Sequence, residues 1–280
     1  MRELPVLPIN YATYTEVCEL ADLKIQQDYM IRSGCNTFSE WYKAGVTSAV
    51  FPSTFLLTLI PFLYWEDSNK YLGICKIPTE IAFGACIKGY PEHIPENEIE
   101  LYKKAYRSSL VGYRWGADAS GEYIRELGLY LAHEGKHRVA FMRHHNEPFF
   151  LAKVTEIRYP QPDRIQLIRS DIHGVIAYAL LDGKYLQLVT RQHYSPIALL
   201  NAYGVKTTNW TDAISLPESF VWESIVESGL LDNRPNDTLE TTRTFNLIHI
   251  GENYQKHLLE SRSKARRFLD SLVNSFKQGR

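Results

Sequence analysis

Apolar residues recur along this chain in two rhythms, one slow and one fast. Between Asn10 and Arg32, Tyr14, Val17, Cys18, Leu20, Ala21, Leu23 and Ile25 fall at partly helical spacing, and Phe38 to Val46 reads as a second helix. From Tyr71 the rhythm shortens. YLGICKI and IAFGACI, separated by Pro78-Thr79-Glu80, read as strands or as a strand and a turn. Pro95-Glu96-Asn97-Glu98 opens a helix, with Pro near its first turn, acidic residues at the positive end of the dipole, and Leu101, Ala105 and Leu110 as its stripe. Ser120 to Leu127 reads as a shorter helix. LGLYLAH is a strand ending in His133, Glu134-Gly135 a turn, His137 to His145 an amphipathic helix with Val139, Ala140 and Met142 inward, and PFFLAKVTEI an alternating strand. Strand, turn, helix and strand together make a βαβ-like unit.

Tyr159-Pro160-Gln161-Pro162-Asp163 is the strongest internal break. Beyond it HGVIAYALL and KYLQLVT flank Asp182-Gly183, the signal of a hairpin. Ser195 to Tyr203 and Pro217 to Ser228 read as helices, Arg234-Pro235-Asn236-Asp237 as a break, and His257 to Phe276 as a final basic helix carrying Leu258, Leu259, Ala265, Leu269, Leu272 and Phe276. The fold class is therefore α/β, in the mixed α+β sense. Residues 1–70 are a helical N-terminal region, 71–160 a central domain, 161–232 a mixed α/β extension, and 233–280 a linker with the basic helix. Asp163 to Leu239 carries no motif, and no repeat or low-complexity tract is visible.

Composition narrows the class. With 280 residues, 45% hydrophobic and 22% charged, the chain builds a core without staples. Cys18, Cys35, Cys75 and Cys86 include no CxxC pair, so neither a disulfide framework nor a structural zinc site is expected. The start, MRELPVLPIN, lacks the charged and apolar regions of a secretory signal, and the cytoplasm is the expected location. The sequon at Asn209-Trp210-Thr211 is accordingly set aside. The most apolar stretch, Phe51 to Trp65, is broken by Pro61 and is shorter than the ~20 residues of a membrane helix, so it reads as core and no membrane partner is expected. The net charge of −1 hides an asymmetry: Lys256 to Arg280 holds seven Lys or Arg against Glu260 and Asp270, a local +5. Such a tail suits phosphate or an acidic partner, and Arg262, Lys264, Arg266 and Arg267 are its candidate nucleic-acid contacts. The apolar residues of the same helix fit against the body or against a second copy, making a homodimer.

The chemistry concentrates in His133-Glu134-Gly135-Lys136-His137-Arg138, six polar or flexible residues between two apolar stretches. At the mouth of a helix, free backbone N–H groups and the dipole favour an anion; Gly135 admits close approach, and Lys136, His137 and Arg138 add charge or donors. A phosphate fits there.

Read as LYLAHEGKHRVAFMRHH, this stretch resembles the ParB/sulfiredoxin-like superfamily, marked by a strand, a G-x-H-R or G-E-R-R turn and a helix of small and apolar residues. The likeness spans Tyr71 to Ile157, and its specific part is Glu134 to Ala140. Members include partition proteins that bind CTP and DNA, sulfiredoxins using ATP, free-serine kinases using ADP, and nucleases. The resemblance implies a nucleotide or DNA as partner, with Gly135, Lys136, His137 and Arg138 on phosphate and Glu134 and His137 as catalytic residues. Glu134 would hold Mg²⁺ or act as base. Lys136 stands where sulfiredoxin has its catalytic cysteine, which excludes sulfinic acid reduction, and the E-N-x-R box of partition proteins is missing. Lys103, Lys104, Arg107 and Arg114 would then supply phosphate charge.

Three functions follow: a DNA-associated nuclease or NTPase-like enzyme, a non-enzymatic DNA-binding or adaptor module, and a zinc hydrolase. The last arises because His133 to His137 spells H-E-x-x-H, which on one continuous helix binds zinc, with Glu147 or Glu156 available as third ligand. Gly135 and the strand-like LGLYLA before it oppose that helix.

Overall fold

The computed structural model describes residues 2–4, 10–32, 51–85, 94–110, 118–172, 174–189, 196–228 and 244–278. The second helix expected at Phe38 to Val46, the break at Arg234 to Asp237, Cys35, Cys86 and Arg114 lie outside them. No described helix is long and apolar enough to cross a membrane.

Eleven strands and eight helices are seen among the described residues, and the protein is mixed α+β. The first sheet holds β1 (Arg2–Glu3), β2 (Asn69–Pro78), β3 (Ala82–Phe83), β4 (Ser120–Ile124), β5 (Leu129–Glu134) and β6 (Phe149–Ile157), in the order β1-β2-β6-β4-β5-β3. Parallel pairs β1·β2, β6·β4 and β5·β3 alternate with antiparallel pairs β2·β6 and β4·β5. The helices beside it are α1 (Tyr11–Arg32), α2 (Pro52–Leu59), α3 (Ile99–Ser108) and α4 (Lys136–His144). Helix α1 starts where Asn10 caps it, its Oδ1 accepting from the Thr13 N–H at 2.8 Å. Phe51 to Trp65 is core as expected: Phe55, Leu56, Leu59, Ile60, Phe62 and Leu63 are all buried.

Three expectations need correction. Ser120 to Leu127 is not a helix; Ser120–Ile124 is strand β4, wedged between β5 and β6. With β4 parallel to β6 and antiparallel to β5, the strands before and after α4 run in opposite directions, so the β5-α4-β6 segment is not a βαβ unit, whose strands must be parallel. The stripe of α3 is displaced by one residue: Tyr102 and Tyr106, one turn apart, are buried, whereas Leu101 is 50% exposed. The two rings pack on Phe141 of α4, at centroid distances of 5.8 and 5.5 Å.

The second sheet begins just past the Tyr159 to Asp163 break. It comprises β7 (Ile165–Arg169), β8 (Ile176–Leu181), β9 (Tyr185–Leu188), β10 (Lys206–Asn209) and β11 (Phe245–Asn246), ordered β10-β7-β8-β9-β11. Asp182 and Gly183, both left-handed at φ 52° and 66°, turn β8 into β9. Its period-2 alternation feeds two cores. Leu167, Ala179 and Leu181 join the main core, together with Leu199 and Leu200 of α5 (Ile197–Tyr203). Ile168, Tyr178 and Leu180 face Trp210 of α6 (Trp210–Ala213), Val221 and Ile225 of α7 (Glu218–Glu227), and Leu247 and Ile250 at the root of α8 (Leu247–Gln278). The main core thus crosses residue 160.

Glu218 locks this second layer. Its buried carboxylate accepts from Ser170 Oγ (2.5 Å), Tyr178 Oη (3.0 Å) and the N–H groups of Asp171 (2.7 Å) and Ile172 (3.2 Å). Glu218→Ala takes the acceptor from the Asp171 and Ile172 N–H groups, and urea unfolding should show a loss of about 2–4 kcal/mol, since an unsatisfied buried polar group costs ~1–3 kcal/mol; a loss under about 1 kcal/mol would mean water replaces the carboxylate without penalty.

The terminal helix starts ten residues before the expected His257, because Leu247 and Ile250 anchor it. At 1.5 Å per residue its 32 residues reach about 48 Å. From Gln255 to Arg267 every side chain except Leu258 is exposed.

Candidate functional site

Gly135 makes the turn that the sequence singled out. Its φ of 78° is left-handed, which glycine adopts without cost, and it ends β5 and starts α4 within one residue. That geometry breaks the helix required by H-E-x-x-H: His133 belongs to β5 and His137 to the first turn of α4. The other proposed ligands are committed elsewhere, Glu147 to Lys103 (3.4 Å) and Arg107 (3.1 Å), and Glu156 to Arg125 (3.5 Å). Among the described residues no group of three or more His, Cys, Asp or Glu is arranged to hold a metal.

The turn residues part company. Glu134 is exposed at the tip of β5, opposite Ser120. Lys136 is half-buried; its ammonium donates to the His133 carbonyl and lies 5.2 Å from the Phe51 ring centroid. His137 is half-buried on the first turn of α4. Arg138 turns inward. It is 3% exposed, and its guanidinium donates to the carbonyls of Leu110 (2.7 Å), Leu151 (3.1 Å) and Ser109 (3.2 Å) while stacking 4.5 Å from the Tyr106 ring. Burial pushes it below the ordinary arginine range. The residue expected to hold phosphate therefore ties the end of α3 and strand β6 to α4. Lys103 and Arg107 serve Glu147, and Lys103 also pairs with Glu100 at 2.9 Å; Lys104 is exposed.

Sequence reading passed over a second group at this end of the sheet. His133 Nε2 meets Glu122 Oε2 at 3.1 Å, and the same carboxylate accepts from Tyr64 Oη at 2.7 Å. The hydrogen bond to Glu122 raises His133 above the usual imidazole value, against the effect of burial. Burial works against ionised Glu122, but the bonds from His133 and Tyr64 outweigh it and hold the carboxyl below its usual range. Burial and then Glu122 push the Tyr64 phenol up.

No family model, curated protein or solved structure matches this chain. The chemistry of the site is therefore that of its own residues.

Two backbone departures build the group. The β4–β5 ladder slips where Ser120 faces Glu134 and Gly121 faces Ala132, so His133 is the extra residue of a bulge, a device that re-aims a side chain. Gly121 permits the crowding, since a Cβ there would meet the Leu131 carbonyl oxygen at 2.2 Å. Tyr64 sits in a left-handed conformation (φ 67°), as does Phe62 (φ 60°). Each costs on the order of 1–3 kcal/mol and persists only where surroundings fix it. Here the Phe62 N–H donates to Gln187 Oε1 (2.9 Å) and the Tyr159 hydroxyl to the Pro61 carbonyl (2.8 Å). The sheet register, with Glu122 opposite Leu131, is what sets Glu122 diagonally across from His133, and no signal in SGEYI itself announces it.

The basic helix presents the remaining predicted contacts. Arg262, Lys264, Arg266 and Arg267 are all exposed, and Arg267 donates to Ser263 Oγ of its own helix at 2.9 Å. Arg262 and Arg266 stand one turn apart, so like charges repel along the helix.

Proposed function

We propose that this protein binds the phosphates of a nucleic acid, with α8 as the capturing element. What carries the reading is the exposure of Arg262, Lys264, Arg266 and Arg267 on a helix that runs on past its anchors. Such a helix offers sequence-independent attraction to a phosphate backbone, and bound phosphates would relieve the crowding of like charges. The likeness of LYLAHEGKHRVAFMRHH to ParB/sulfiredoxin-like proteins supports the same partner class. At that turn Gly135, Lys136 and His137 would meet a phosphate, and Glu134 would hold Mg²⁺. A nuclease or NTPase-like enzyme of the cytoplasm is the first form of this reading; an adaptor that binds without turnover is the second. Pairing of two copies through α8 would double the basic surface.

Fluorescence anisotropy with labelled duplex and single-stranded DNA tests it. Binding should weaken steeply as salt rises from about 50 to about 200 mM, because each neutralised phosphate releases counterions. Absence of binding at the lowest salt overturns the reading.

A further inference from the structure

The chain Tyr64–Glu122–His133 contains an imidazole, a carboxylate that orients it, and a phenol that orients the carboxylate. We infer that His133 is the catalytic base of a phosphate-ester hydrolase, positioned by Glu122 and Tyr64, with a nucleotide-like ester as substrate. The inference rests on the phosphate-binding reading and moves the chemistry away from Glu134.

Geometry carries it. An imidazole linked to a carboxylate through one nitrogen keeps the other for a proton, the arrangement in which general bases are held. Glu122 takes Nε2 at 3.1 Å, so Nδ1 is the nitrogen for chemistry. His133 is 45% exposed and Glu122 21%, which leaves the imidazole within reach of substrate and the carboxylate sheltered. Two irregularities serve this chain: the bulge at His133 and the left-handed backbone of Tyr64, just after Pro61 and Phe62, which Tyr159 and Gln187 hold. Left-handed non-glycine backbone gathers at functional sites, and bulges are enriched next to active sites. Beside the base stand the groups a nucleotide ester would use. The Lys136 ammonium, bonded to the carbonyl of His133 itself, supplies positive charge, and the Phe51 ring beneath it is 46% exposed, a surface on which a base can stack.

The step balances with water alone. His133 Nδ1 takes a proton from water as the water oxygen bonds to phosphorus; the phosphorus–oxygen bond of the leaving group breaks, and the imidazolium, stabilised by Glu122, returns that proton to the departing oxygen. Tyr64 keeps its proton and holds Glu122.

The experiment uses the full chain, with bis(p-nitrophenyl) phosphate, p-nitrophenyl phosphate and labelled DNA and RNA as probes. His133→Gln should lower kcat/KM by roughly a hundredfold or more, as loss of a general base does, while DNA binding and thermal unfolding hold. Glu122→Gln should lower kcat while KM and thermal unfolding stay near wild type, a split that a merely structural role would not produce. Tyr64→Phe should cost several-fold. Should Glu122→Gln fail to fold, His133→Gln, changed at a half-exposed side chain, decides alone. Wild type that binds DNA but turns over no probe overturns the inference and spares the binding reading, as does turnover that survives in His133→Gln. Failure of both binding and turnover removes the two together.

Discussion

Replacing Arg138 with alanine should destabilise this protein by about 3–5 kcal/mol in urea titration, through lost hydrogen bonds to a buried cation and the cavity left behind. The guanidinium satisfies the carbonyls of Ser109, Leu110 and Leu151 at once and fills the space against Tyr106. Truncation removes three charge-assisted hydrogen bonds and opens a cavity beside a buried aromatic. Lysine does not restore the site, because one ammonium cannot reproduce a planar fork that reaches three carbonyls. Arg138→Lys should therefore recover less than half the loss. Full stability in Arg138→Ala would show that the carbonyls find water instead. A ligand-binding defect in Arg138→Ala reports on the fold first, and the phosphate question has to be put to Lys136 and α8.

The second large effect belongs to α8. The fourfold variant Arg262→Gln, Lys264→Gln, Arg266→Gln and Arg267→Gln should reduce the slope of log affinity against log salt by as much as roughly 3.6, about 0.9 for each phosphate that is no longer neutralised. Over a fourfold rise in salt, wild type would then weaken by roughly 150-fold more than the variant. The variant's thermal midpoint should stay close to wild type, because exposed substitutions usually change stability by under ~0.5 kcal/mol. An unchanged slope would place any nucleic-acid contact elsewhere.

What the sequence made legible follows from where local signals agreed with tertiary ones. LGLYLAH and the helix after Gly135 were readable because an apolar run, a glycine and an amphipathic run coincide. Ser120 to Ile124 was not, since SGEYI lacks β-branched enrichment and its strand identity comes from lying between β5 and β6. That misreading hid Glu122, and with it the partner of His133. The helical stripe of α3 slipped by one residue because leucine is the more apolar choice by composition, whereas Tyr102 and Tyr106 have the larger surfaces to set against Phe141. Strand β10, sequence KTTN, has no apolar residue to announce it and exists through its register with β7. Arg138 carried a motif's promise but answered to the carbonyls of its neighbours, which no linear pattern displays.

The second sheet, with Leu167 turned to one core and Ile168 to the other, acts as a party wall. Neither room keeps its shape without it. A fragment ending at Pro160 would bare the apolar surface that Leu167, Ala179 and Leu181 cover, and a fragment beginning there would bare the opposite side of the same wall. The two halves should therefore melt in one cooperative transition, and proteolysis between them should yield aggregates in place of two soluble pieces.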